Sequence, residues 1–322
     1  MPNVSEAGGV ALIDRALIDR FRRDLCRLTA TDGRVGLAVS GGPDSMALLH
    51  LARAAFPEQI EAATVDHGLR REAAAEAALV ARACADLGVA HRTLAVAVPG
   101  DSSVQAAARR VRYDALATWC RERKLASLAT AHHADDQAET LLMRLARGSG
   151  LSGLAGIRES RDLGGVRLIR PLLGWRRAEL AAIVAPVETV EDPSNADPHY
   201  DRSRVRSLLA VAGDLVDPLR LAASAAHLAE ADAALDWLTC ETIRSRVERC
   251  DDGRVLVDLE GLPRDVRRRI LARLIGDADS PVDGPVLETA MTRLDAGLNA
   301  SVGGLILLPG RRVGIEKARP RR

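Results

Sequence analysis

The run from Val35 to Leu49 constrains the fold more than any other part of the chain. An apolar, β-leaning stretch (Val35-Gly36-Leu37-Ala38-Val39) feeds the turn Ser40-Gly41-Gly42-Pro43-Asp44-Ser45, and an apolar helical pattern starts at once with Met46-Ala47-Leu48-Leu49. This reads as a strand, a tight glycine loop and a helix N-terminus, which offers backbone N–H groups to an anion. Gly41 and Gly42 let the chain approach a phosphate closely. Ser40 and Ser45 add hydroxyl donors. Asp44 is a carboxylate beside an anion site, which suits a hard cation such as Mg²⁺ between the two. No lysine lies near the loop, so it lacks the Gly-Lys-Ser/Thr ending of the P-loop; the chain has only Lys124 and Lys317.

The segments around the loop alternate. Strands are predicted at 34–40, 60–66, 91–98, 125–131 and 166–170, and helices at 10–30, 45–55, 71–87, 103–123 and 134–147. The alternation predicts an α/β fold with a doubly wound parallel sheet, whose ligands gather beyond the carboxyl ends of the strands. After about residue 215 the pattern changes to a long helix (218–250), a strand (254–259), helices at 263–275 and 286–296, and a Gly-punctuated β segment (301–316). The expected organisation is a catalytic domain over 1–215 and a smaller α+β domain over 216–322, in keeping with about two domains for 322 residues.

Net charge is +1, so any nucleic-acid site must be a local patch. The five cysteines form no Cys-x-x-Cys pair. No secretory signal pattern opens the chain, and no apolar run approaches the ~20 residues of a membrane span. The expected setting is the reducing cytoplasm, with no membrane partner.

Further polar strings fall just after predicted strands. Val65-Asp66-His67-Gly68-Leu69-Arg70 puts Asp66 and His67 at the sheet's carboxyl edge beside the loop. On helix 103–123, Arg109 and Arg112 share a face, and guanidinium forks suit phosphate oxygens. The string Ala131-His132-His133-Ala134-Asp135-Asp136-Gln137-Ala138-Glu139 ends a strand in two histidines and opens a helix with two aspartates. Asp136 and Glu139 share one face, as do Asp135 and Glu139. Such a cluster suits Mg²⁺, a cationic ligand or a general base; the bland reading is carboxylates favoured by the helix dipole, which leaves His132, His133 and Glu139 unexplained. Glu191-Asp192-Pro193-Ser194-Asn195 reads as a turn, and Tyr200–Arg206 sets three arginines on a helix start.

The loop resembles that of the ATP pyrophosphatases, which cleave ATP between the α and β phosphates. Together, SGGPDS (40–45), VDHGLR (65–70), RRVRY (109–113), AHHADDQAET (131–140), RGSGLSGLAG (147–156), RPLL (170–173) and EDPSN (191–195) resemble the tRNA(Ile)-lysidine synthetases, in the family's order. The resemblance implies a two-step ligation on cytidine 34 of an isoleucine tRNA with a CAU anticodon. The cytosine O2 attacks the α-phosphorus of ATP, releasing pyrophosphate; the side-chain amine of free L-lysine then attacks C2, releasing AMP. It implies ATP and pyrophosphate binding by Ser40, Gly41, Gly42, Pro43, Asp44 and Ser45, with Mg²⁺ on Asp44. Arg112 would stabilise the α-phosphate. Asp136 and Glu139 would hold the lysine ammonium and accept its proton, and Asp66, His67, His132, His133 and Asp135 would lie nearby. Oligomeric state stays open, a homodimer included. Longer members carry two C-terminal modules, and the ~105 residues after 215 have room for about one. Its basic helix (Arg264, Arg267, Arg268, Arg269, Arg273) is expected to meet tRNA phosphates. Rival readings are a tRNA cytidine thiolase, which would need paired cysteines; an ammonia-dependent ligase, which would need an ammonia source; and a nucleotide sensor, which would not need the histidine–aspartate cluster.

Overall fold

The computed structural model describes residues 13–29, 33–68, 73–97, 104–190, 201–276 and 284–318. The Glu191–Asn195 turn and Leu69-Arg70 lie outside them. The chain divides into two compact units, Met1–Ala229 and Glu230–Arg322.

In the first unit, helices and strands alternate: α1 (Arg15–Leu28), β1 (Val35–Ala38), α2 (Pro43–Ala55), β2 (Ile60–Asp66), α3 (Ala73–Asp86), β3 (Ala90–Ala95), α4 (Val104–Arg123), β4 (Ser127–Ala129), α5 (Ala134–Ala146) and the short α6 (Leu151–Leu154). The hairpin β5 (Ser160–Leu163) and β6 (Val166–Ile169), α7 (Arg177–Ile183) and α8 (Asp201–Ala212) follow. The sheet order is β3-β2-β1-β4-β6-β5. The first five strands are mutually parallel, as expected. The expectation missed β5, which pairs antiparallel to β6 at the edge. Its sequence, Ser-Arg-Asp-Leu, carries little apolar content because an edge strand faces water.

Alternation along the strands sends side chains to two cores. Leu37, Ala62, Ala129 and Ile169 join Phe21, Leu25, Met46, Leu49 and Val80 on one face. Ala63, Leu128 and Leu168 join Leu116, Trp119 and Cys120 of α4 on the other. The sheet is therefore doubly wound. Gly36 is glycine for a packing reason: a β-carbon there would sit 2.7 Å from the Trp119 ring. The strand order reverses between β1 and β4, and a crevice at that reversal is where such sheets bind ligands.

The long helix α9 (Pro218–Arg246) leads into the second unit. There β7 (Val247–Arg249), β8 (Val255–Val257), β9 (Ala300–Val302), β10 (Leu305–Leu308) and β11 (Val313–Lys317) form an antiparallel sheet ordered β7-β8-β11-β10-β9. It packs with α10 (Arg264–Gly276) and α11 (Gly284–Asp295) around Ile270, Leu271, Met291 and Leu307. The arginines of α10, the helix expected to meet tRNA phosphates, lie beside carboxylates. Arg264 meets Glu288 and Asp295, Arg267 meets Asp295, and Arg268 meets Asp265 and Glu288. Arg269 meets Asp232, Asp236 and Asp265, while Arg273 donates to the Cys240 sulfur. All five arginines thus have partners within the unit.

Candidate active site

The loop after β1 and the loop after β4 flank the reversal point, and their side chains meet. Gly41 takes φ +88°, and its carbonyl accepts the Val190 N–H at 2.9 Å. A β-carbon at Gly41 would lie 3.1 Å from Val190, so both backbone angle and space require glycine. Gly42 caps α2 without a side-chain bond, and Pro43 follows. The first-turn amides of α2 are thus available as anion donors. Ser45 Oγ donates to the Gly42 carbonyl at 2.9 Å and accepts the Ser40 N–H at 3.1 Å, bracing the turn.

His133 caps α5. Its Nδ1 accepts the Asp136 N–H at 3.3 Å, while Asp136 Oδ2 accepts the His133 N–H at 3.1 Å. This leaves Nε2 as the protonated nitrogen, 3.4 Å from Asp44 Oδ2. Burial disfavours a charged His133, but the Asp44 bond and the carboxylates of Asp136, Asp44 and Asp135 outweigh it and raise its proton affinity. The other Asp44 oxygen, Oδ1, is buried and has no hydrogen-bond partner. An orphaned anionic oxygen at a phosphate loop fits a Mg²⁺ ion, which takes one or two carboxylates plus substrate phosphates. Among the described residues no cluster of three or more His, Cys, Asp or Glu side chains forms a closed metal cage.

The carboxylates of α5 divide by partner. Asp135 turns aside: its Oδ2 accepts the Arg177 N–H at 2.8 Å, holding the start of α7. Asp136 Oδ1 accepts from Arg202 at 2.8 Å. Burial raises the proton affinity of Asp136, with His133 and Arg202 pulling the other way. Glu139 is 2% exposed, and both its oxygens are engaged: Oε2 by Arg202 Nε at 2.6 Å, Oε1 by Arg206 Nε at 2.8 Å. Glu139, expected to hold the lysine ammonium together with Asp136, is here ion-paired at both oxygens with arginines of α8. The sequence signal for this pairing is the spacing of four between Arg202 and Arg206, which sets both on one face of α8.

At the end of β2, Asp66 Oδ1 accepts the Gly68 N–H at 2.9 Å, a local turn. His67 Nε2 accepts from Arg112 Nε at 3.2 Å, so the structure joins two strings that sequence left apart. His67 is held neutral by burial and by Arg112. His132 shares a hydrogen with Thr130 at 3.0 Å and is pushed down to about 3, by burial first and then by Arg170, Arg109 and Arg202. The glycine-rich string 147–156 is structural. Arg144 donates to the Gly153 and Gly156 carbonyls at 2.6 and 3.0 Å, and buried Gln137 bonds Ile157 through both ends of its amide. No helix of the described residues is long and apolar enough to cross a membrane.

Residues 16–212 match a family described as the PP-loop domain. The chain is 48% identical over 304 residues to the tRNA(Ile)-lysidine synthase of Novosphingobium aromaticivorans, covering 92% of each chain. It is 44% identical over 294 residues to that of Ruegeria pomeroyi, covering 87% of this chain and 70% of the relative. Against that of Zymomonas mobilis it is 41% identical over 304 residues, covering 90% of each. Among solved structures, a U34-tRNA thiolase from Methanococcus maripaludis shares the fold, with a TM-score of 0.55 and 17% identity over 66% of this chain and 79% of that one.

Proposed function

The chain belongs to the tRNA(Ile)-lysidine synthase family of PP-loop proteins, and from that premise we infer that it uses ATP to ligate free lysine to C2 of cytidine 34 in the CAU anticodon of isoleucine tRNA. The observation that carries the reading for this chain is the 3.4 Å approach of His133 to Asp44, which makes one site of the phosphate loop and the carboxylate helix.

In the first step the cytosine O2 attacks the α-phosphorus of ATP and pyrophosphate leaves. The first-turn amides of α2 and the Ser40 hydroxyl receive the pyrophosphate oxygens, while Ser45, whose hydroxyl donates to the Gly42 carbonyl, braces the loop that presents them. Asp44 would hold Mg²⁺, which when bound neutralises charge on the leaving pyrophosphate. Arg112, steadied by His67, meets charge building on the α-phosphate. His133, 3.4 Å away, keeps Asp44 aimed. His132, neutral, adds no competing cation.

In the second step the lysine side-chain amine bonds to C2, the C2–O2 bond to AMP breaks, and the nitrogen loses a proton. Asp136 is the acceptor we assign. Its raised proton affinity suits a base; Arg202 takes Oδ1 and the His133 N–H takes Oδ2, and each carboxylate oxygen keeps a second lone pair for the proton. Glu139 acts through Arg202, fixing it against Asp136. The C-terminal domain, drawn from 216–322 in the sequence reading, is assigned to tRNA contacts outside the anticodon.

A thiolase reading is disfavoured by the cysteines. Cys84 and Cys120 are buried, and burial pushes both thiols up to about 12, far from a reactive thiolate. The direct experiment is mass analysis of isoleucine tRNA after incubation with ATP and lysine. A lysine adduct on C34 is the expected product; unmodified or sulfur-bearing C34 would overturn the reading.

A further inference from the structure

Arg170 follows β6, is only 4% exposed, and has a buried Nε with no hydrogen-bond partner. Its Nη1 donates to the Arg158 carbonyl, and it bonds the Tyr113 hydroxyl. A buried guanidinium normally sits against a carboxylate, because an unpaired buried charge is very costly. Among the described residues, no carboxylate pairs with Arg170.

Two more guanidiniums gather at the same tyrosine. Arg161 of β5 and Arg109 of α4 lie with their guanidinium carbons 5.0 and 5.3 Å from the centre of the Tyr113 ring. Both arginines are exposed, and neither pairs with a described carboxylate. Their repulsion acts on Arg170, whose hold on its proton is weakened by burial first and then by Arg161 and Arg109. The same positive field, added to burial, keeps neighbouring His132 neutral. Three cations from three elements thus converge, and among the described residues none of them pairs with a carboxylate. An aromatic platform preorganises them, and guanidinium forks match phosphate oxygens.

We propose that Arg109, Arg161 and Arg170, set around Tyr113, form an oxyanion site for a phosphate group, separate from the Ser40–Ser45 loop. Two exposed arginines over one buried one make a site that opens to solvent, as a polynucleotide phosphodiester requires. Assigning that phosphate to tRNA rests on the proposed function; ATP is the other source of the same chemistry.

The test uses the full chain with Arg109→Ala, Arg161→Ala, the double variant, and Arg170→Lys. The two alanine changes trim exposed side chains, so they keep the question open even if Arg170→Lys fails to fold. Binding of isoleucine tRNA is measured across a salt series, and ATP binding separately by calorimetry. Each alanine variant should weaken tRNA binding roughly tenfold, since a charged hydrogen bond is worth that much or more. The slope of log affinity on log salt should flatten by about 0.7 to 0.9 per lost phosphate contact. ATP affinity should hold. Loss of ATP affinity with tRNA binding intact would support the oxyanion site and give it to the nucleotide. A double variant with wild-type melting temperature and both affinities unchanged would overturn the site. Lysidine formation by the wild type is assayed in parallel: failure there removes the proposed function, whereas the binding ratios judge the arginine site.

Discussion

His133 Nε2 lies 3.4 Å from Asp44 Oδ2, so a residue at the carboxyl end of β4 holds a residue in the first turn of α2 across the point where the sheet reverses. One Asp44 oxygen is thereby fixed and the other left buried without a partner. The site's chemistry depends on this contact in ways that can be measured.

Asp44→Ala should abolish pyrophosphate release while the protein stays folded. The variant removes the orphaned oxygen that suits a divalent cation, and a metal-stabilised phosphoryl transfer loses several kcal/mol without it. Pyrophosphate release and far-ultraviolet circular dichroism together check this. Turnover near the wild-type rate would remove Asp44 from the metal site.

Arg112→Lys keeps the charge but loses the planar fork and the Nε–H that meets His67. The adenylation step should slow about a hundredfold or more, the usual loss for one transition-state donor. Single-turnover formation of adenylated tRNA reads the step directly. A change confined to the KM for tRNA would make Arg112 a backbone contact instead.

Stability should fall in acid. His132 titrates at about 3 in the fold, and His50, His67 and His91 are also lowered, each chiefly by burial. Below the ordinary histidine value of about 6.5 the unfolded chain takes up protons that the fold refuses, so stability is complete above that pH and declines beneath it. His133 works the other way: its proton affinity is raised, so its contribution is present below about 6.5 and fades as pH rises through its folded value. With four lowered against one raised, thermal melts from pH 7.5 to 5 should show a falling midpoint. A flat profile would contradict the assignment of four neutral histidines.

In the second unit, Arg269→Ala should lower the melting temperature, because one guanidinium joins Asp232, Asp236 and Asp265, and Asp232 is buried. Removing it should cost about 2–3 kcal/mol, less than a fully enclosed pair. Arg264→Ala, at an exposed pair, should change stability little. Neither should alter the salt dependence of tRNA binding, because both arginines already have carboxylate partners. A shallower salt slope in either variant would return α10 to the tRNA surface.

What could be read from sequence was what is local. Residues 40–45 carry their own glycine, proline and helix-start signals, and β2 spans Ile60–Asp66 as its apolar run predicts. The hairpin of β5 and β6 did leave a trace in Gly164-Gly165, both at positive φ, but the polar strand before it hid the signal. The partners of Glu139 lie 63 and 67 residues away in sequence, and those of Arg170 are Tyr113 of α4 and the Arg158 carbonyl just before β5. No local pattern encodes such meetings; they follow from strand order, which decides which loops share an edge.

Asp136 and Glu139 can be told apart by separating the two chemical steps. Radiolabelled α-phosphate is trapped on tRNA without lysine, and lysine is then added to follow its loss. Asp136→Asn removes the assigned proton acceptor, so adenylated tRNA should accumulate and lysine transfer should slow about a hundredfold or more. Glu139→Gln acts differently. The amide keeps the shape but sets an NH₂ group against a guanidinium donor, where the carboxylate had accepted from Arg202 and Arg206. One arginine loses its anchor, and because Arg202 also grips Asp136 the disturbance spreads to it. Glu139→Gln should therefore slow both steps and lower the melting temperature, since Glu139 is buried and its ion pairs hold α8 to α5. If instead Glu139→Gln melts like the wild type, adenylates normally and fails only at lysine transfer, Glu139 is itself the lysine acceptor. Its arginines must then swing away when the amino acid enters.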